Sequence, residues 1–283
     1  MLIDMDPSTA TTPLTDDQRF LVQGPDLVNY VVLRDRIFPI GSHTALVALN
    51  FGDVPPTKVP TVWLHQLDQG PTLDVPKIPG AGENFQDGLK VGDVVESNVG
   101  GEPQTFVVRQ DGIAPVNPTA KALLLGQPGA AGPKPISTSE LASLRESADH
   151  TLLQGTPNVM AAHNFIADTA VCLVQRSRGD AVDKGILVTE PLPVSAGLIT
   201  MNVAPGKGML AVSEPAPAQA NNRTYYLITD LGRKYRIAQQ GFAALGIGNA
   251  PVGVPKEVLD AMPSGPDLVM GNAVLTANSG GGQ

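Results

Sequence analysis

The stretch Tyr225–Leu268, YYLITDLGRKYRIAQQGFAALGIGNAPVGVPKEVLDAMPSGPDL, decides the fold. It predicts two short strands around a turn at Asp230, a small helix, a second helix that starts at a Val-Pro pair, and a Gly-Pro stop. The same pattern occurs in Tyr30–Leu73, where a shift of 195 residues superposes the turn aspartate, the Val-Pro pair and the Gly-Pro pair. A third, degenerate copy runs from Phe106 to Glu146. We therefore predict an α+β protein of small ββαα-type repeats.

Capping residues predict where the helices of the repeats start. A serine side chain accepts a hydrogen bond from the first helical turn, and proline lacks the N–H group that would need a partner there. Ser42 is therefore expected to cap the first helix, and Pro60 to open the second. Ser137, with Glu140 nearby, is expected to open the last helix of the middle copy. The predicted helices with defined ends are His43–Asn50, Thr61–Asp68 and Thr119–Leu125.

Residues 167–217 have a different pattern, with four strand-like runs and no helix signal. They predict an antiparallel central β region between the second and third repeats, with strands at Ala170–Gln175, Gly185–Thr189, Leu198–Val203 and Met209–Ser213. The expected organisation is a flexible lead-in (1–17), repeat domains (18–80 and 88–150), a partial central β region (167–217), a C-terminal repeat domain (223–270) and a flexible tail (271–283).

Composition excludes several classes of protein. The chain has 283 residues, 42% of them hydrophobic, which is enough for one large domain or two modest ones, each with a hydrophobic core. Its net charge of −8 argues against nucleic acid as a partner. The one basic cluster, formed by Arg233, Lys234 and Arg236, is interpreted as a solvated hairpin end. No run approaches the ~20 apolar residues of a membrane span, and the N-terminus lacks the pattern of a signal peptide.

The sequence contains no catalytic or metal-binding motif. Ala204–Gly208 is the segment most similar to a phosphate-binding P-loop. Gly208, however, occupies the position of the metal-binding Ser or Thr, so we predict a β-turn. No G-x-S-x-G elbow is present, and a catalytic role for Ser195 or Ser213 has no support. The four histidines fall in different segments without ligand spacing, so no metal site is predicted: His43, His65, His150 and His163.

Recurring aspartates and a few aromatic residues are the remaining candidates. Asp35, Asp111 and Asp230 occupy one place in each repeat and could be ligands, although aspartate is common in turns because its side chain binds nearby backbone N–H groups. Three aromatic side chains could stack on sugars, but core packing is the favoured interpretation: Trp63, Tyr225 and Tyr226.

Several motifs in a fixed order give the chain a family resemblance. They are NYVVLRDRIFPI…TALVAL…VPTVWLHQLDQGPTL, then VGDVVE, then FVVRQDGIAPVNPTAKALLL, and finally the C-terminal stretch quoted above. Together they cover about Arg19 to Leu268 and resemble EccB, a component of the type VII (ESX) secretion systems of actinobacteria. No single motif would carry the resemblance.

The resemblance implies a larger protein. EccB proteins have an N-terminal cytoplasmic stretch, one transmembrane helix, and an extracytoplasmic part with four repeats around a central β domain of approximate two-fold symmetry. We therefore expect this chain to be a C-terminal fragment or a shortened form on the extracytoplasmic (periplasmic) side of the membrane, without its anchor. Cys172 would be one half of a disulfide whose partner is absent from this chain; the alternative is a buried, unreactive thiol.

The resemblance also implies three functions. The leading hypothesis is a scaffold of the secretion membrane complex that binds the other ESX membrane-complex subunits and forms a homo-oligomer. ATP hydrolysis is described for the family, and ATP would then be a ligand by resemblance only, because no Walker A motif is present. A cell-wall glycan-binding module is the third hypothesis, since the family's repeat fold is similar to a phage lysin's wall-binding subunit.

Overall fold

A computed structural model describes residues 2–5, 10–165, 170–175, 177–178, 181–182, 185–190, 200–215, 223–243, 245–248 and 250–268. The chain divides into two compact units. Unit 1 comprises residues 1–14, 60–66 and 167–283, and unit 2 comprises residues 15–59 and 67–166. The fold is mixed α+β with several small sheets, which confirms the predicted class. None of the described helices has the length and apolar character of a membrane span.

The strands are short. In chain order they are β1 Leu2–Asp4, β2 Thr12–Pro13, β3 Gln18–Gln23, β4 Asn29–Leu33, β5 Arg36–Pro39, β6 Thr57–Lys58, β7 Asp68–Gln69, β8 Val94–Val99, β9 Glu102–Arg109, β10 Gly112–Pro115, β11 Lys134–Pro135, β12 His163–Asn164, β13 Ala170–Val174, β14 Ser177–Arg178, β15 Ala181–Val182, β16 Ile186–Glu190, β17 Thr200–Asn202, β18 Gly208–Glu214, β19 Tyr225–Thr229, β20 Lys234–Ile237 and β21 Val252–Pro255.

The helices are also short. They are α1 His43–Ala48, α2 Thr61–Leu64, α3 Pro118–Leu125, α4 Thr138–Ser143, α5 Thr151–Gln154 and α6 Lys256–Ala261. Two 3₁₀-helical turns lie at Val159–Ala161 and Gln239–Gly241.

The second repeat, in unit 2, shows the complete module. Strands β8, β9 and β10 form an antiparallel meander, and β11 lies parallel to β8, giving the order β10-β9-β8-β11. Helix α3 precedes β11 and α4 follows it. The chain then returns beside β10, where Glu146 forms a parallel bridge with Ile113. The repeat is therefore βββαβα. It has two strands more than the predicted ββαα unit, because β8 precedes the hairpin and β11 lies between the two helices.

The first and last repeats have the same strand order, namely β5-β4-β3-β6 and β20-β19-β18-β21. Strand β18 lies beside β19, with Val212 opposite Tyr225, and beside the parallel β21. The strand predicted at Met209–Ser213, which corresponds to β18, was expected to belong to the central β region. The alternation of side chains predicted a strand correctly, but it could not indicate which sheet the strand joins.

The recurring Gly-Pro pairs do not stop helices, which corrects the prediction. Helix α6 ends at Ala261 and α2 at Leu64, whereas Gly70 and Gly265 lie beside β5 and β20. A Cβ on Gly70 would lie 2.2 Å from the Phe38 ring, and one on Gly265 would lie 2.1 Å from the Tyr235 ring. Glycine recurs because an aromatic ring packs on the backbone there. The predicted helix to Asp68 is wrong for a related reason, since β7 pairs with β5.

Caps explain two of the helices that follow the third strand of a repeat. The Ser42 hydroxyl accepts a hydrogen bond from the Ala45 N–H at 3.2 Å, as predicted, and Asn117 caps α3 in the same way. Ser137 and Glu140 form a reciprocal capping box on α4. Pro60 and Pro255, by contrast, precede their helices as caps without a side-chain hydrogen bond. The last repeat has only the 3₁₀-helical turn at this place, preceded by Ala238.

Apolar clusters hold unit 2 together. One cluster joins both repeats of the unit, since Leu123 of α3 packs with Leu49, Phe38 and Leu73. Arg19 of β3 is 3% exposed, and its Nη2 donates to the Leu49 carbonyl at 3.0 Å. Burial lowers the pKa of this guanidinium to about 10, so it stays charged at neutral pH. Its Cζ lies 4.7 Å from the centroid of the Phe51 ring, which offers a favourable cation–π contact.

Unit 1 contains the last repeat and the described part of the central region. Strands β13, β16 and β2 form an antiparallel sheet, as predicted for Ala170–Gln175 and Gly185–Thr189. Strand β1 pairs in parallel with β17. The expected lead-in thus contributes two short strands to unit 1, which polar composition alone did not indicate.

Candidate functional site

The P-loop-like stretch is a β-turn, as predicted. The Lys207 N–H donates to the Ala204 carbonyl at 3.0 Å, and Gly206 has a φ of 70°. The turn leads from β17 into β18, whereas a phosphate loop leads into a helix N-terminus. Ser213 lies on β18, and Ser195 lies outside the described residues.

The four histidines lie apart in structural positions. His43 opens α1, and His163 lies on β12 beside β3. Nε2 of His150 lies 2.8 Å from the Ser147 carbonyl, and Nδ1 of His65 lies 3.1 Å from a carboxylate oxygen of Glu257. Within the described ranges, no group of three or more His, Cys, Asp or Glu residues is arranged to hold a metal ion.

The recurring aspartates organise turns. The Asp111 carboxylate accepts the Ala148 N–H at 3.2 Å, and the Asp230 carboxylate accepts the Gly206 N–H at 2.8 Å. Hydrogen bonds from the Ser147 side chain and the Ala148 backbone hold the pKa of Asp111 below its usual range. At Asp35 the backbone carbonyl accepts the Asp68 N–H at 3.2 Å.

The aromatic candidates and one residue of the basic cluster, Lys234, are buried or half-buried in unit 1. Tyr225 is buried and packs edge-on against Phe242, with ring centroids 5.1 Å apart, while Tyr226 and Trp63 are half-buried. Lys234 is buried, contrary to the prediction of a solvated cluster. Its Nζ donates to the Leu259 carbonyl and lies 5.3 Å from the Tyr226 ring centroid. Burial lowers the pKa of Lys234.

Cys172 is a free thiol at the middle residue of β13, the first strand in the sheet order β13-β16-β2. It lies on β13 opposite Val188 of β16 and is half-buried. Burial, reinforced by the neighbouring carboxylate of Glu190, raises the pKa of this thiol to about 12. The thiol is therefore protonated and weakly nucleophilic at neutral pH.

Unit 2 contains an open cleft of about 760 Å³ that no sequence motif had indicated. Its walls come from both repeats of the unit and from the segment between them, including Ser42, Asp74, Lys77, Lys90, Asp93 and Leu124. Asp74 accepts the Ser42 hydroxyl at 2.7 Å, and Asp93 accepts the Lys134 ammonium at 2.6 Å. The cleft is assembled from distant segments, so spacing along the chain gave no signal for it.

A comparison with known protein families covers nearly the whole chain. The sequence profile described as "Type VII secretion system ESX-1, transport TM domain B" matches residues 2–279. The chain belongs to the EccB family. This confirms the resemblance inferred from the ordered motifs.

Curated EccB relatives are distant in sequence. The chain is 24% identical over 298 residues to the "ESX-3 secretion system ATPase EccB3" of Mycolicibacterium smegmatis, which covers 93% of this chain and 58% of the relative. It is 28% identical over 227 residues to the "ESX-1 secretion system ATPase EccB1" of Mycobacterium tuberculosis, covering 74% of this chain and 46% of the relative. The chain thus spans about half the length of these relatives.

Solved structures of EccB assemblies share the fold. The "Structure of EccB3 dimer from the ESX-3 core complex" superposes with a TM-score of 0.63 at 22% identity, covering 94% of this chain and 75% of that one. The "Structure of the periplasmic assembly from the ESX-5 inner membrane complex" superposes with a TM-score of 0.64 at 17% identity, covering 95% and 72%. At these identities the likeness shows the fold alone.

Proposed function

We propose that this EccB-family chain is an extracytoplasmic scaffold of a type VII secretion membrane complex. The observation that carries the proposal is the family match across residues 2–279, joined to three described repeats that share one strand order. Repeated modules present extended surfaces for protein contacts. In the described part of the chain, no metal cluster accompanies them.

The proposal includes partners and location. The chain binds other subunits of the ESX membrane complex, forms a homo-oligomer and works on the periplasmic side, with a membrane anchor outside these 283 residues. The proposal also includes the domain organisation predicted from the sequence, with repeat domains around a central β domain. Support comes from the solved structures that share the fold, which are of an ESX-5 inner membrane complex, its periplasmic assembly and an EccB3 dimer.

Two measurements test the scaffold. Light scattering of the purified chain should give a mass of at least twice 29.4 kDa. Co-expression of the tagged chain with the other ESX membrane subunits should allow them to be purified together. A strict monomer that retains none of those subunits would refute the proposal.

Cys172 remains part of the proposal as one half of a structural disulfide. It is the one cysteine of the chain, so a disulfide would need a cysteine in a second chain or outside this sequence. Non-reducing electrophoresis of the protein from an oxidising compartment should show a reducible species, which Cys172→Ser should remove. A thiol that is fully titratable in the unfolded, unreduced protein would contradict this.

ATP hydrolysis is a second candidate, favoured by the curated relatives, which are named as secretion-system ATPases. The cleft in unit 2 is the place to test, since Lys77 and Lys90 line it. ATP hydrolysis ranks second because the two carboxylates of the cleft already accept hydrogen bonds from the protein itself, Asp74 from Ser42 and Asp93 from Lys134. If the cleft hydrolyses ATP, Lys77→Ala with Lys90→Ala should lower the rate at least tenfold; equal rates would point to a contaminating enzyme.

A further inference from the structure

The three repeats allow one feature to be compared directly, namely the turn between the second and third strands. In the first repeat this turn is Arg34-Asp35. The Asp35 carbonyl accepts the Asp68 N–H, and the Arg34 guanidinium lies 3.6 Å from the Asp16 carboxylate. Both contacts come from the chain's own neighbouring segments.

The second repeat has a two-residue turn that is covered in the same way. The Gln110 amide donates to Glu83 at 2.9 Å, and the Asp111 carboxylate accepts the Ala148 N–H. In these two copies the turn is therefore attached to the rest of unit 2.

The last repeat departs from this pattern. Its turn, Asp230–Arg233, has four residues instead of two and carries Leu231 at its apex. Leu231 is 79% exposed, the highest value among the large apolar side chains that the structure describes. The Gly206 N–H donates to the Asp230 carboxylate at 2.8 Å and joins this turn to the turn before β18. We call the joined pair, residues 204–208 and 229–233, the last-repeat tip.

The charge at the last-repeat tip is opposite to that of the chain. Lys207 and Arg233 are exposed residues of the same tip as Leu231, whereas the chain as a whole has a net charge of −8. The one acid of the tip, Asp230, accepts the Gly206 N–H. Lys234 is buried, and Arg236 faces Asp267 at 4.0 Å. The tip thus offers one exposed apolar side chain together with two exposed cationic side chains.

We propose that the last-repeat tip docks on an anionic phospholipid bilayer. Leu231 enters the boundary between headgroups and acyl chains, and Lys207 and Arg233 pair with lipid phosphates. A single exposed leucine is ordinary on a protein surface. The combination with two cations on an otherwise acidic chain matches an interfacial anchor, which needs an apolar group and basic neighbours. The inference deepens the proposed location beside a membrane, but it can be tested without the secretion partners.

The expected affinity is low. One leucine and two cations give a partition constant on the order of 10³ M⁻¹, roughly tenfold below that of a single myristoyl chain. Half of the protein should then bind at about 1 mM accessible lipid. Such a contact orients a protein that is already held at the membrane, and it does not recruit one from solution.

Vesicle sedimentation tests the proposal with the purified 283-residue chain. The probes are large unilamellar vesicles of phosphatidylglycerol and phosphatidylcholine in equal parts, and vesicles of phosphatidylcholine alone, at low salt. Binding should be at least tenfold stronger to the mixed vesicles. Leu231→Asn should weaken it about tenfold, and Lys207→Gln or Arg233→Gln about fivefold each.

Matched controls are available in the same chain. Leu27→Asn changes the next most exposed leucine, at 74%, and Lys58→Gln changes an exposed lysine of unit 2. Both should bind mixed vesicles as well as the unaltered chain. Equal binding to the two kinds of vesicle, or equal losses in tip and control variants, would overturn the proposal. So would tip variants that bind lipid normally but lose the ESX subunits, because the tip would then dock on protein.

Failure of the scaffold and failure of the lipid contact remain distinguishable. A chain that binds no ESX subunit but binds anionic vesicles through Leu231 would retain this inference and refute the scaffold. The converse result would retain the scaffold and refute the lipid contact.

Discussion

The tetrapeptide Gly-Pro-Asp-Leu occurs at residues 24–27 and again at residues 265–268, in two different structures. At residues 24–27 it connects β3 and β4. There the Leu27 N–H donates to the Gly24 carbonyl at 3.1 Å, Leu27 has a φ of 64°, and its side chain is 74% exposed. At residues 265–268 the same residues run beside β20, and Leu268 packs on a core cluster with Ile237.

The first repeat shows why. Residues 70–73 read Gly-Pro-Thr-Leu, yet they form the same hydrogen bonds beside β5 that residues 265–268 form beside β20. Gly70 and Leu73 donate at 2.8 and 2.7 Å, and Gly265 and Leu268 donate at the same distances. The position within the repeat therefore sets the conformation, and the tetrapeptide does not.

Replacing the leucines should show the largest difference between these segments. Leu73 is 1% exposed within the main cluster of unit 2, so Leu73→Ala should lower the free energy of unfolding by about 2–5 kcal/mol. Leu27→Ala should stay within about 0.5 kcal/mol, since Leu27 is exposed. Denaturant unfolding followed by circular dichroism measures both. Equal losses would mean that the exposed leucine is not free in solution.

The glycines provide the next largest effect. Gly70→Ala and Gly265→Ala should each lower the free energy of unfolding by about 1–3 kcal/mol, because the new Cβ would overlap an aromatic ring. Gly132→Ala and Gly248→Ala are matched controls, since a Cβ at either position meets no atom within 4 Å. Hydrogen exchange should speed up beside β5 and β20 in the first pair alone. Unchanged exchange there would remove the close-approach explanation.

Helix caps separate the first two repeats from the last. Asn117→Ala should lower the free energy of unfolding by about 1–2 kcal/mol, and Ser42→Ala by about 1 kcal/mol. The Asn117 effect is larger because its amide also donates to the carbonyl oxygens of Leu153 and Thr156. In the last repeat the corresponding cap position is already an alanine, Ala238, and Gln239→Ala at the first residue of the 3₁₀-helical turn should change stability by less than about 0.5 kcal/mol. Thermal unfolding of the three variants measures this order, and a reversed order would contradict it.

The smallest expected effect concerns acid. The pKa of Asp111 is lowered in the folded protein, so its contribution to stability is present above the unfolded pKa of about 4 and is lost as the pH falls below it. Asp111→Asn should therefore destabilise the chain at pH 7 more than at pH 3. Melting temperatures of both proteins at the two pH values test this. A difference that does not vary with pH would exclude a role for the Asp111 charge.

Much of the repeat could be predicted from the sequence because its signals are local. Ser42 and the Ser137–Glu140 pair act within one helical turn, and each of their caps was predicted correctly. The alternation in Ala170–Gln175 likewise indicated a strand that the structure contains. The family resemblance rested on the order of such motifs along the chain. The EccB family profile, which matches residues 2–279, confirms that resemblance.

The rest depended on contacts between distant residues. The residues next to Gly265 in the sequence do not indicate that the Tyr235 ring packs on it. The glycine was therefore interpreted as a helix stop. Lys234 looked solvated among its charged neighbours, but the Leu259 carbonyl accepts its ammonium proton. The cleft in unit 2 and the pairing of β1 with β17 are of the same kind, since each joins segments that are far apart in the chain.

The module's last few residues have a consequence for how such proteins can lengthen. In each copy the fourth strand occupies the outer side of the first strand, and the returning segment bridges to the third at Leu73, Glu146 or Leu268. Both margins of the meander are thus partly occupied by its own chain, and a neighbouring copy finds few unpaired backbone groups to add to. Duplicating such a module therefore lengthens a protein without lengthening a sheet, so the number of copies can change while the number of strands in each sheet stays small.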